Sequence, residues 1–268
     1  MRIESSQADM RASKAAMGAD LDITAEVGKH PFKNKSHYSL TRYQNIIPSF
    51  LQMTGAPINK ESLLPMRNLD ATSPEDVYKV EEILTERERT ALSEAAGQML
   101  ESHDTLEKLK EEQKNRQLSG MGVALLDRAL KATHKDLGHV GLLLFFEGCV
   151  RFSRLRAPDL RKGVRALQPF LPIFVRQKIL DLFSELSGSD RVVSPELADK
   201  TKCYIIVLAL LLQGLSVEVS QLTEALFVRP DHLRKLVSVV GARMEGDSNG
   251  QVTQCRHNHS LSQLACQF

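Results

Sequence analysis

Six basic side chains fall within the fifteen residues RFSRLRAPDLRKGVR: Arg151, Arg154, Arg156, Arg161, Lys162 and Arg165. Guanidinium and ammonium groups at this density neutralise phosphates and displace their counterions. That is the chemistry of sequence-tolerant nucleic-acid binding. Arg176 and Lys178 follow closely, so residues 151–180 hold 8 basic residues against 1 acidic, a local charge of +7. Residues 71–118 lean the other way, with 12 acidic and 7 basic residues, a local charge of −5. The whole chain of 268 residues carries only +2, so it is not a polycation. A basic block of this size suits an anionic partner, either nucleic acid or an acidic protein. The plainer reading of each single Arg is a solvated surface charge.

A second candidate lies in LTEALFVRPDHLRKLV, Leu222 to Val237. Val219, Leu222 and Leu226 fall at i, i+3 and i+7, and Leu233, Leu236, Val237 and Val240 at i, i+3, i+4 and i+7, so two one-sided helices are predicted. Pro230 suits the first helical position of the second, although Arg229 before it is a poor cap. The outward face of that helix is predicted to offer His232, Arg234, Lys235 and Ser238, with Arg243 just beyond. An apolar face on the core and a basic face outward is the layout of a recognition helix. Many helical bundles share this spacing.

Other chemistries find little support. Cys255, His257, His259 and Cys266 are spaced unlike the usual structural zinc ligands, so no metal is expected. Gly120-Met121-Gly122 is not followed by the GK of a phosphate loop. His134 and His139 flank an apolar helix and are read as structural. No local motif suggests a nucleophile with its base or a pair of working carboxylates, so neither enzyme activity nor a cofactor is expected.

The elements that must carry these residues are mainly helical. Residues 1–70 are broken by Pro31, Pro48, Pro57 and Pro65 and read as a linker or extended arm, with a short helix near Asp9–Met17. Order is expected to start near Ser73-Pro74-Glu75-Asp76, a good helix start. Leu142 to Phe146 is apolar all round, as in a central core helix. Arg151–Arg165, interrupted by Pro158 and Gly163, is expected to leave that helix as a loop or wing. Ser194-Pro195-Glu196 opens a long buried helix and Gly214 closes it. Its core, Tyr204 to Leu212, is a nine-residue apolar run, short of the ~20 residues a bilayer span needs. Cys149 and Cys203 sit in apolar runs as small hydrophobes, and MRIESSQADMRASK lacks the apolar core of a secretory signal, so a reducing compartment is expected. After Gly241 the sequence reads as a polar tail, disordered over 246–268.

The segments SPEDVYKVEEIL and LADKTKCYIIVLALLLQGLSVEVSQLTEALFVRPDHLRKLVSVVGARM resemble the family of the forty-nine-kilodalton subunit of RNA polymerase I. The PEDVYK motif and the long helix leading into a helix-turn-helix stand in the family's order and spacing. The resemblance covers roughly residues 63 to 244. It implies a tandem winged-helix module with few short strands, one unit over 71–166 and the other over 167–245. It also implies sequence-tolerant binding of duplex DNA, a non-catalytic role in initiation and elongation of ribosomal RNA gene transcription, and a place in the nucleus and nucleolus. The implied partners are other RNA polymerase I subunits and an initiation factor, and no membrane. Residues 1–62 do not resemble the family's β-rich dimerisation domain, so the usual heterodimer is not expected. Arg243-Met244 is followed by Glu245-Gly246-Asp247 where family members tend to carry a basic run. The competing expectation is a helical adaptor whose basic block docks on an acidic protein.

Overall fold

Seventeen residues at the centre of the molecule show why the fold takes its shape. In Leu137–Ser153 every side chain from Val140 to Val150 is buried, so the helix must be covered on all sides. The computed structural model describes residues 60–188, 190–245 and 250–254, all within one compact unit, Leu40–Phe268. Residues 1–59 of the arm expected over 1–70, its short helix near Asp9–Met17, and Cys255, His257, His259 and Cys266 lie outside the described residues.

The first elements are helices α1 (Lys60–Leu63) and α2 (Val80–Ile83), with a 3-10 turn at Pro74–Asp76 between them. Next come α3 (Glu86–Ser102), α4 (Leu106–Lys114), α5 (Gly120–Lys131) and the central α6 (Leu137–Ser153). Each of these four opens on a side-chain cap: Thr85, Thr105, Ser119 and Asp136. Thr85 and Glu88 form a reciprocal capping box. Then follow α7 (Ala157–Leu160), a 3-10 turn at Gly163–Ala166, α8 (Ile173–Phe183) and an antiparallel hairpin of β1 (Glu185–Ser187) and β2 (Asp190–Val192). The last part runs α9 (Pro195–Leu212), β3 (Ser216–Glu218), α10 (Val219–Leu226), α11 (Pro230–Val240), β4 (Ala242–Glu245) and β5 (Gln251–Gln254). Its three strands form an antiparallel sheet in the order β3-β5-β4. The fold is thus mainly helical with a few short strands.

The core is one cluster in which α6 lies against α3, α5, α8 and α9. Gly141 lets α3 come close: a Cβ there would stand 3.0 Å from the Leu92 carbonyl carbon. Helix α9 starts as expected, with Ser194 Oγ accepting from the Leu197 N–H and Pro195 in the first turn. Cys203 to Leu210 are buried, and Gly214 takes a left-handed φ of 65° after the helix ends.

Several expectations change. Order does not wait for Ser73, because Leu63 and Leu64 are buried, α1 packs on α9, and Ser62 Oγ donates to Glu196 at 2.8 Å. Residues 60–78 form a strap across the last helices, ending where Tyr78 OH donates 2.9 Å to the Val240 carbonyl. That carbonyl belongs to the last turn of α11 and has no helical partner of its own. Arg151–Arg165 is no wing: Arg151 completes α6, and α7 and the following 3-10 turn pack on β2 and α8. The expected tail contains strand β5, whose Val252 is wholly buried beside Val217 and Met244. A four-residue strand built around Val252 is too short a pattern to read from sequence.

Candidate nucleic-acid interface

Helix α11 follows α10 through a turn at Phe227 and starts without a side-chain cap from Arg229. Leu233, Leu236, Val237 and Val240 are each at most 1% exposed. Arg234, Lys235 and Ser238 face outward, and Arg243 is exposed on β4. His232 does not join them. It is buried, with Nε2 3.3 Å from Asp199 Oδ1 on α9. Asp199 is fully buried and also holds Lys202 Nζ at 2.9 Å. With α9 beneath α11 the imidazole joins Lys202 at this carboxylate, and a buried carboxylate needs such partners. No local spacing signals that pair. Arg234 stands 3.6 Å from Asp231 in an exposed pair, which holds neither side chain firmly.

The earlier basic block is split by the fold. Arg156, Arg161, Lys162 and Arg165 are exposed around α7. Arg161 reaches Asp190 on β2 at 3.4 Å, and Lys162 reaches Asp159 at 2.8 Å, whose hydrogen bond holds that carboxyl below its usual range. Arg151 is half-buried in the last turn of α6. Arg176 turns inward, donating 3.3 Å to the Val164 carbonyl. Lys178 is a structural tie, donating 2.7 Å to the Ile83 carbonyl and 2.6 Å to Glu88. Burial pushes the Glu88 carboxyl up, but the Lys178 and Thr85 hydrogen bonds outweigh it and leave it lowered. Arg191, which no motif singled out, pairs with Asp181.

Arg154 lies against an aromatic ring. Its guanidinium carbon lies 4.5 Å from the ring centroid of Phe227, in the turn between α10 and α11. Phe227 adopts φ 52° and ψ 41°, a left-handed conformation that costs a residue with a Cβ about 1–2 kcal/mol. Burial lowers the Arg154 pKa, and the carboxylates of Glu147 and Glu224 oppose that shift. Glu147 is itself buried in α6 and accepts from both the N–H and the Oγ of Ser119, the cap of α5. Burial pushes its carboxyl up to about 7, against those hydrogen bonds. The pair caps a helix: Ser119 Oγ donates to Glu147 and accepts from the Gly122 N–H at 3.0 Å. His134 and His139 are exposed rather than packed. Among the described residues no three His, Cys, Asp or Glu side chains stand together as metal ligands, and no helix is long and apolar enough to cross a membrane.

Together these features define a mainly helical protein built on a helix-turn-helix, with exposed basic side chains on the second helix and around α7. The chain belongs to the family of A49-like RNA polymerase I associated factors, whose match spans residues 22–265. It is 26% identical over 208 residues to the DNA-directed RNA polymerase I subunit RPA49 of Mus musculus, an alignment covering 75% of this chain and 42% of the mouse protein. The chain therefore spans less than half the length of that relative. Membership agrees with the resemblance carried by PEDVYK and the α9–α11 segment.

Proposed function

We propose that the chain is a non-catalytic, DNA-binding component of RNA polymerase I that acts in initiation and elongation on ribosomal RNA genes, in the nucleus and nucleolus. The observation that carries this reading is the split character of α11. Its apolar side is sealed in the core, while Arg234, Lys235 and Ser238 face outward, and a hairpin bearing Arg243 follows. Family membership and the likeness to a mouse RNA polymerase I subunit support the polymerase part of this reading. Helix, strand, two helices and a hairpin, α9 to β5, is the order of a winged helix. The preceding α6, α7, α8 and β1–β2 repeat it without the first strand. On this reading the division between the two units falls after Val192 rather than at 166. Duplex DNA, other polymerase I subunits and an initiation factor are the partners.

The contacts would be to phosphates, because the outward side chains are Arg, Lys and Ser and Arg156, Arg161, Lys162 and Arg165 supply further charge without a groove-reading helix. Duplex binding by the full chain across a salt series tests this. The affinity should fall steeply with salt, by a slope of about −0.9 per phosphate contacted, and change little with sequence. Absence of binding at low salt would overturn it. A second reading, docking on an acidic protein, draws on the acidic neighbours of Arg161, Lys162 and Arg234, which blunt the positive field.

A further inference from the structure

We infer that Arg154 is a positioning residue for the DNA-facing helix: it holds the turn between α10 and α11 instead of touching phosphate. The inference rests on the DNA-binding reading. Arg154 is the C-cap residue of α6, and its guanidinium lies over the ring of Phe227, which caps α10. Helix α6 is thereby joined to the first of the three residues, Phe227 to Arg229, that separate α10 from α11. The turn is also held by Val228, packed against the core, and by the Phe227 N–H, which donates 2.9 Å to the Thr223 carbonyl. Phe227 is 37% exposed, its left-handed backbone is disfavoured for a residue with a Cβ, and α11 begins at Arg229 without a side-chain cap. Arg154 Nε is buried and has no hydrogen-bond partner among the described residues, so that edge of the guanidinium is closed to an incoming phosphate. The nearby carboxyl groups of Glu147 and Glu224 favour its charged form. A planar guanidinium stacks on an aromatic face in a way an ammonium does not, so Lys is a poor substitute.

The test is duplex binding by the full chain, unaltered and as Arg154→Ala, Arg154→Lys, Phe227→Ala and the Arg154→Ala/Phe227→Ala double variant. Each is titrated over a salt series well below its melting temperature. Each single variant should bind about three to ten times more weakly, as expected for loss of a partly buried cation–π contact. The double variant should bind no more weakly than either single one, because both remove the same contact. The slope against log salt should stay that of the unaltered chain, since no phosphate contact is lost. A slope shallower by about 0.9 in Arg154→Ala would show a direct phosphate contact and overturn the inference. Unchanged affinity, or additive losses in the double variant, would overturn it as well. If the unaltered chain binds no duplex, the DNA-binding reading itself fails first, and this one with it.

Discussion

Replacing Gly122 by Ala should destabilise the protein, although the same change at Gly97 should stabilise it. Both glycines lie in helices, α5 and α3, where Ala ordinarily gains about 0.5–1 kcal/mol over Gly. At Gly97 a Cβ would meet nothing within 4 Å. At Gly122 it would stand 2.7 Å from Glu147 Cδ and closer still to Oε1. Glu147 cannot retreat: it is 1% exposed and its two oxygens hold the Ser119 N–H and Oγ. Overpacking of a tight site costs about 1–3 kcal/mol, and leaving a buried hydrogen-bonding group unmatched costs about 1–3 kcal/mol more. Set against the helical gain, the net loss is about 3 kcal/mol. In a domain of this size that lowers the melting temperature by roughly 6–12 °C, while Gly97→Ala raises it by a few degrees. Thermal unfolding of the two variants beside the parent, followed by circular dichroism, checks both signs. If Gly122→Ala melts with the parent or above it, the packing of α5 on Glu147 is not as described.

Four further outcomes follow from the same geometry. Leu236→Asp places a charge at a wholly buried position and should unfold the region of α10 and α11, seen as a lost or split melting transition. Tyr78→Phe should cost about 1–2 kcal/mol in denaturant unfolding, because the Val240 carbonyl loses its buried donor. Because the folded Glu147 pKa is raised from 4.5 to about 7, its stabilising contribution is complete below about 4.5 and is lost as pH rises through about 7. Stability measured from pH 5 to 8 should therefore fall less in Glu147→Gln than in the parent. Reversing Arg161, Lys162 and Arg165 together should weaken duplex binding more than reversing Arg234 and Lys235, since more exposed charge is lost, and a binding titration decides it.

How far the sequence spoke for itself differs from element to element. Helix α9 was legible at both ends, because Ser194, Pro195 and Gly214 act through their own backbone. The inward face of α11 was legible because four apolar residues at helical spacing leave little choice of side. Leu142 to Phe146 declared a central helix through the absence of any polar face. The hairpin β1–β2 left no such mark. Its strands have three residues each, and Leu186 and Val192 point into solvent rather than alternating with the core. Among the candidate site residues, exposure of Arg234, Lys235, Arg161, Lys162 and Arg165 followed from local pattern. The inward turns of His232, Arg154 and Lys178 did not, because Asp199, Phe227 and Glu88 are distant in sequence and become neighbours only through the fold.

The strap has a consequence in time. Tyr78 and the Val240 carbonyl are 162 residues apart in the chain. A ribosome adds residues at about 5–20 per second, so Tyr78 emerges many seconds before its acceptor has been translated. The strap therefore waits, together with Leu63, Leu64 and Val77, for helices still to be made. Only after Val240 has been made can the end of α11 be tied down by Tyr78.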